Sequence, residues 1–128
     1  MKALLPRPVF LLASFLVAVQ AKIYERCELV KKLNDHGLDG YQGYSLANWV
    51  CLAFFESSFD TRAVGHKKDG TSDYGIFQIN SGWWCADEDS ASDNLCDIDC
   101  KELLNPDIEK DIRCAKRIVE DPQGMDAW

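Results

Sequence analysis

Cationic residues are scarce in this sequence: 14 lysines and arginines stand against 21 aspartates and glutamates. A surface of that sign repels nucleic acid and anionic membranes. The acidic residues are spread along the chain and form no block, so they read as solvated surface and not as a disordered tail. Histidine is rarer still, with only His36 and His66. There is no CxxC pair, and the tightest cysteine spacing is Cys96-x3-Cys100. Zinc sites draw on closely spaced cysteines and histidines, so zinc is a weak rival for the cysteines here. Internal repeats and low-complexity segments are also missing. Beyond residue 21 no segment supplies the roughly 20 apolar residues that cross a bilayer.

The one long apolar run is at the start. Lys2 and Arg7 make a basic opening, Val9 to Val19 is apolar but for Ser14, and Val19-Gln20-Ala21 offers small residues for cleavage. This is the pattern of a secretory signal over residues 1–21. A membrane anchor is the rival reading, but Pro6 and Pro8 interrupt the stretch. Residues 22–128 then have room for one domain, expected to be soluble and extracellular. Setting Lys2 and Arg7 aside leaves 12 basic residues against 21 acidic ones, a net charge near −9. All six cysteines, Cys27, Cys51, Cys85, Cys96, Cys100 and Cys114, lie in this part. An even count in a short secreted chain points to disulfides, without saying which cysteine joins which.

Helical spacing comes first along the domain. Glu25 to His36 reads as a helix with Cys27, Leu29, Val30 and Leu33 on its apolar side and Gly37 as its stop. Ser45 is a good N-cap for a second helix, whose stripe is Leu46, Trp49, Val50 and Ala53 and whose end falls near Glu56 or Ser57. Asp69-Gly70 is a turn signal, followed by a strand-forming stretch from Thr71 to Asn80, so a small hairpin or sheet is expected between Arg62 and Ser81. Cys85 to Cys100 is polar and reads as an irregular loop. Asn105-Pro106-Asp107 looks like a helix start, continued by Ile108, Ile112, Ala115 and Val119 and ended by Pro122 and Gly124. Met125 to Trp128 reads as the beginning of a further element. The sum is an α+β fold.

Four segments carry a specific resemblance: KIYERCELVKKL, GLDGYQGYSLANWVCLAFFESSFDTRA, DGTSDYGIFQINSGWWC and CAKRIVEDPQGMDAW. With them the chain resembles the c-type lysozyme and α-lactalbumin family from Lys22 onward. LLNP, at Leu103 to Pro106, is more similar to the lysozyme-like proteins of sperm. The resemblance implies a helical lobe and a small antiparallel β lobe with a cleft between them. It also implies a secreted, bacteriolytic glycosidase that cleaves β-1,4 links between N-acetylmuramate and N-acetylglucosamine with retention. Glu56 matches the family's general acid and Asp73 its second carboxylate, nucleophile or charge stabiliser. Such cleavage needs a proton for the leaving oxygen and a negative charge facing the cationic sugar, a division for which lysozymes are themselves the reference case. By itself each of the two residues would read more blandly, Glu56 as a solvated helix-end acid and Asp73 as a strand-end residue. Embedded in the matching motifs they take the family's positions.

Gln78, Asn80, Trp83, Trp84, Asp121 and Ala127 match saccharide-contacting positions, and Trp128 matches the tryptophan that walls the general acid. Indoles stack on the apolar faces of pyranoses, while amides and carboxylates bond their hydroxyls. The implied partner is peptidoglycan or a chitooligosaccharide-type glycan, handled by a monomer with no cofactor. The family also implies disulfides Cys85–Cys100 and Cys96–Cys114.

Three departures follow from the same comparison. Lys67 stands where many members carry an asparagine beside the second carboxylate; an ammonium there would favour the ionised form of Asp73 and temper it as a nucleophile. In the loop that binds calcium in some members, here Glu102 to Asp111, Asn105, Asp107 and Asp111 offer oxygens, but Lys110 replaces a carboxylate, so no metal site is expected. Full-length members continue past the Trp128 position with two more cysteines. Residues 22–128 are therefore expected to lack the family's C-terminal segment, which leaves Cys27 and Cys51 without their family partners. Each missing disulfide would cost about 2–5 kcal/mol.

Overall fold

Apolar side chains three and four residues apart build the first two helices, seen in a computed structural model that describes Pro8 and residues 22–128. The expected secretory signal falls, Pro8 apart, outside the described residues. Helix α1, Arg26–Asp35, buries Leu29 and Leu33. Val30 is half-buried on the same side, and Cys27 is exposed. Helix α2, Leu46–Ser57, starts where Ser45 Oγ accepts from the Asn48 N–H, meeting one donor that the first turn leaves free. Its inner side buries Trp49, Val50 and Ala53 against α1.

The stretch from Val64 to Asn80 forms three short strands: β1 Val64–His66, β2 Ser72–Tyr74 and β3 Ile79–Asn80. They pair antiparallel in the order β1-β2-β3. Asp69 Oδ1 accepts from the Thr71 N–H to close the first turn. The second turn divides the strand-forming stretch at Gly75 and Gln78, whose φ values of 80° and 49° are left-handed and cannot continue a ladder. The register sets Gly65 opposite Asp73, and Asp73 opposite Asn80.

Helix α3 departs from the expectation. It covers Glu109–Val119, with Ile108 at the N-cap and no side-chain cap. Asn105 Oδ1 is spent on the Asp107 N–H, Tyr24 Oη donates to the Pro106 carbonyl, and Ile108 is fully buried. Those contacts hold residues 105–108 in an irregular path, and the helix begins after it. Its buried side, Ile112, Ala115, Ile118 and Val119, joins the same hydrophobic core as the buried residues of α1 and α2.

Two short 3-10 turns, Tyr41–Gly43 and Cys100–Leu104, lie where no regular element was expected. A third, Gly124–Ala127, is the element that begins near Met125. The loop after Cys85 is irregular, apart from a bridge between Ala86 and Asp99. Disulfides join Cys85 to Cys100 and Cys96 to Cys114, with Cα–Cα separations of 5.0 and 5.3 Å. Cys27 and Cys51 are free and exposed. The fold is a helical lobe with a small antiparallel sheet, the α+β arrangement read from the sequence. Among the described residues no helix is long and apolar enough to cross a membrane.

Candidate functional site

Glu56 is carried to the sheet by the last turn of α2. The helix stops one residue later, where Ser58 adopts a left-handed conformation. Ser57 pins that end to the β lobe, its hydroxyl donating to the Ile76 carbonyl at 2.7 Å and to the Ala53 carbonyl at 3.0 Å. Asp73 sits in the middle of β2. A single cavity is lined by Glu56, Lys67, Asp73, Gln78, Ile79, Asn80, Trp84, Ile118, Ala127 and Trp128. Two carboxyls from different lobes therefore share one groove.

Their surroundings differ. Burial pushes the Glu56 carboxyl above its ordinary range, and the negative charge of Asp73 adds to the effect while Lys67 opposes it. The carbonyl end of α2 acts in the same direction as burial, because it carries partial negative charge. Asp73 is tied by polar groups on both oxygens. Asn80 Nδ2 donates to its Oδ1 at 2.9 Å, and Lys67 Nζ lies 3.4 Å from its Oδ2. One group is thus shifted toward its protonated form while the other is placed among cationic and amide partners. That arrangement can protonate a leaving oxygen and oppose a developing positive charge.

Trp128 lines the same cavity as Glu56. Its indole Nε1–H donates to the Phe77 carbonyl at 2.6 Å, and its ring meets Trp49 edge-on at 6.5 Å. Replacing it with alanine should let water reach Glu56, so the Glu56 titration midpoint should fall toward that of an ordinary glutamate. A carboxyl-carbon NMR titration measures this; an unchanged midpoint in Trp128→Ala would show that the indole is not the wall.

The remaining residues singled out from the sequence divide into three groups. Gln78 and Asn80 line the cavity, but their amides are committed to the protein. Gln78 Nε2 donates to the carbonyls of Ala63 and Gly75. Asn80 Nδ2 donates to Thr71 Oγ1 as well as to Asp73, and its Oδ1 accepts from the Gly82 N–H. Both act first as struts for the β lobe. Trp84 and Ala127 line the cavity, with Trp84 buried beneath the Arg117 guanidinium at 5.8 Å. Trp83 and Asp121 are not brought into that lining. Trp83 is 61% exposed, free to offer a face to a ligand, whereas Asp121 pairs with Arg117 at 2.8 Å. Ile79 and Ile118 complete the cavity walls; sequence reading missed both, since an isoleucine in a strand or helix carries no signal beyond core packing.

Glu102 to Asp111 does not fit a calcium ion. Lys110 Nζ pairs with Glu102 at 2.7 Å, and Lys32 Nζ pairs with Asp107 at 3.0 Å, so lysines hold two of the carboxylates. Asp111 is fully buried with neither oxygen partnered, and burial drives its carboxyl well above the ordinary range. A loop whose carboxylates Glu102 and Asp107 are already paired with lysines, with Lys110 in its midst, lacks the free negative charge that calcium requires. Among the described residues no group of three or more His, Cys, Asp or Glu side chains is set to hold a metal.

The comparisons with known proteins agree with this geometry. Sperm acrosome-associated protein 5 of Bos taurus is 56% identical over 110 residues, 86% of this chain and 70% of its own length. Lysozyme C-2 of Sus scrofa is 54% identical over 129 residues, 100% of this chain and 86% of its own. A crystal structure of canine milk lysozyme superposes with a TM-score of 0.81 at 55% identity, covering 84% of each chain. The sequence model of the C-type lysozyme/alpha-lactalbumin family matches residues 22–128, and the chain belongs to that family.

Proposed function

We propose that this protein is a secreted glycosidase of the lysozyme type, cleaving β-1,4 links between N-acetylmuramate and N-acetylglucosamine with retention. The observation that carries the reading is the pair of carboxyls in one groove, Glu56 raised by burial and Asp73 bound by Asn80 and Lys67. Glu56 gives its proton to the leaving oxygen as the glycosidic bond breaks. Asp73 faces the anomeric carbon and stabilises or captures the cationic sugar. Glu56, now ionised, takes a proton from the water that completes hydrolysis. Retention rests on the family resemblance, and the supporting relatives include proteins named as lysozymes. Incubation of the oxidised protein with cell-wall glycan should release new reducing ends. Their absence under conditions in which Lysozyme C-2 of Sus scrofa releases them would reject hydrolysis.

A second reading is favoured by two observations. The Lys67–Asp73 ion pair occupies the carboxylate that would have to act, and relatives named for the sperm acrosome stand beside the lysozymes. A glycan-binding protein without turnover fits both facts. Calorimetry with chitooligosaccharides separates the two readings: heat of binding with no new reducing ends selects the second.

A further inference from the structure

Lys67 stands on the turn between β1 and β2, with its backbone N–H donating to the Thr71 carbonyl at 2.9 Å. Its side chain lines the cavity and is 53% exposed, so the ammonium reaches into the open groove. Lys22, Lys31 and Lys110 pair with Glu28, Asp35 and Glu102 at 2.7 or 2.8 Å with hydrogen-bond geometry, and Lys32 meets Asp107 at 3.0 Å and Glu109 at 3.7 Å. The Lys67–Asp73 contact is looser than the hydrogen-bonded pairs, an ion pair at 3.4 Å, while Asp73 keeps its tighter bond to Asn80 on the other oxygen. An ammonium has three donors. Held loosely on one side and open to solvent on the rest, this one is available for exchange.

The rest of the molecule offers an anionic ligand little attraction, given a net charge of −7 over the whole sequence. A cation in the cleft wall is therefore a local device. We propose that Lys67 selects glycans bearing a free carboxylate beside the sugar in the groove: the ligand's carboxylate accepts from the ammonium, which leaves Asp73 held by Asn80 alone. This rests on the glycan-cleft reading above and adds to it the charge of the preferred ligand. It also gives the ion pair a role, since the anionic ligand would free the oxygen that Lys67 covers.

The test compares two probes that differ in one group. One is a peptide-free hexasaccharide of alternating N-acetylglucosamine and N-acetylmuramate with its lactyl carboxylates free. The other is the same glycan with the lactyl groups amidated. Both are titrated by calorimetry into the Glu56→Gln protein, so that nothing is cleaved. The carboxylate form is expected to bind up to about five-fold more tightly, the scale of a partly exposed charge pair. The preference should vanish in Lys67→Asn and Lys67→Met, survive in Lys67→Arg, and shrink as salt is raised. Thermal melting of each variant shows that it is folded; Lys67 is half-exposed on a turn, and Lys67→Arg keeps the charge. Equal binding of the two glycans, or a preference that persists in Lys67→Met, overturns this inference while leaving the cleft reading intact. Failure to bind either glycan overturns both.

Discussion

Glu56→Gln is expected to lower the release of reducing ends by about 10²–10⁴-fold, the range that general acid catalysis contributes, while changing glycan affinity little. Glutamine keeps the shape of the side chain at the end of α2 but has no acidic proton to give. The pH dependence of reducing-end release by the wild-type protein should carry the same signature. By the proposed mechanism turnover requires protonated Glu56, and burial, with the charge of Asp73 adding to it, raises its carboxyl above the ordinary range. Activity should therefore persist past the pH at which a solvated glutamate has ionised, then fall as the pH rises through the raised value. Stability has a matching sign. An acid whose folded midpoint lies above its unfolded one binds more protons in the native state, so its contribution is present at low pH and is lost as the pH rises through the folded midpoint. Glu56→Gln removes that loss, and at neutral pH it should melt no lower than the wild type. Equal reducing-end release from the two proteins would remove Glu56 from the chemistry. A much lower melting temperature would mean that the variant reports on folding instead.

The second large effect concerns a position with no chemistry. Gly75 ends β2 with a φ of +80°, and a Cβ built there would lie 2.2 Å from the Leu103 carbonyl oxygen and 2.7 Å from Asp111 Oδ2. The first of these is backbone and cannot swing aside. Gly75→Ala should cost about 3 kcal/mol or more, combining the left-handed penalty of an L-residue with overpacking. Gly70 is the control, because its φ is +89° and nothing lies within 4 Å of its would-be Cβ. Gly70→Ala should therefore lose only the conformational part, about 1–2 kcal/mol. Urea unfolding of the two variants reads the difference. Equal losses would show that the approach of the β lobe to Leu103 is not tight. A loss of the larger size is a large fraction of the roughly 5–15 kcal/mol that holds a domain together, and the first consequence should be separation of Asp73 from Glu56.

Much of the fold was legible because its causes are local. The spacing of Trp49, Val50 and Ala53 and the cap at Ser45 act within a turn or two of helix, and they place Glu56 at a helix end. Asp69-Gly70 closes a turn through its own neighbours. Where a local signal met a distant contact, the contact prevailed. Asn105 has the chemistry of a cap, yet it bonds Asp107 while Ile108 is drawn into the core, and α3 starts later. The sugar-contacting expectation for Gln78 and Asn80 came from resemblance, which gives position but not employment. Their amides turn out to be bonded to Ala63, Gly75, Thr71 and Asp73.

By itself the sequence determined helices α1 and α2, the cap at Ser45, the turn at Asp69-Gly70, the acidic surface and the family, since each depends on residue type at short spacing or on long matching motifs. Tertiary structure alone decided how the cleft is tuned. Trp128 reaches a carbonyl 51 residues away at Phe77, Lys67 is brought from a turn to Asp73, and Glu56 loses water where the end of α2, the β lobe and Trp128 line one cavity. Desolvation and charge act through space, and a chain read residue by residue does not contain those distances until it has folded.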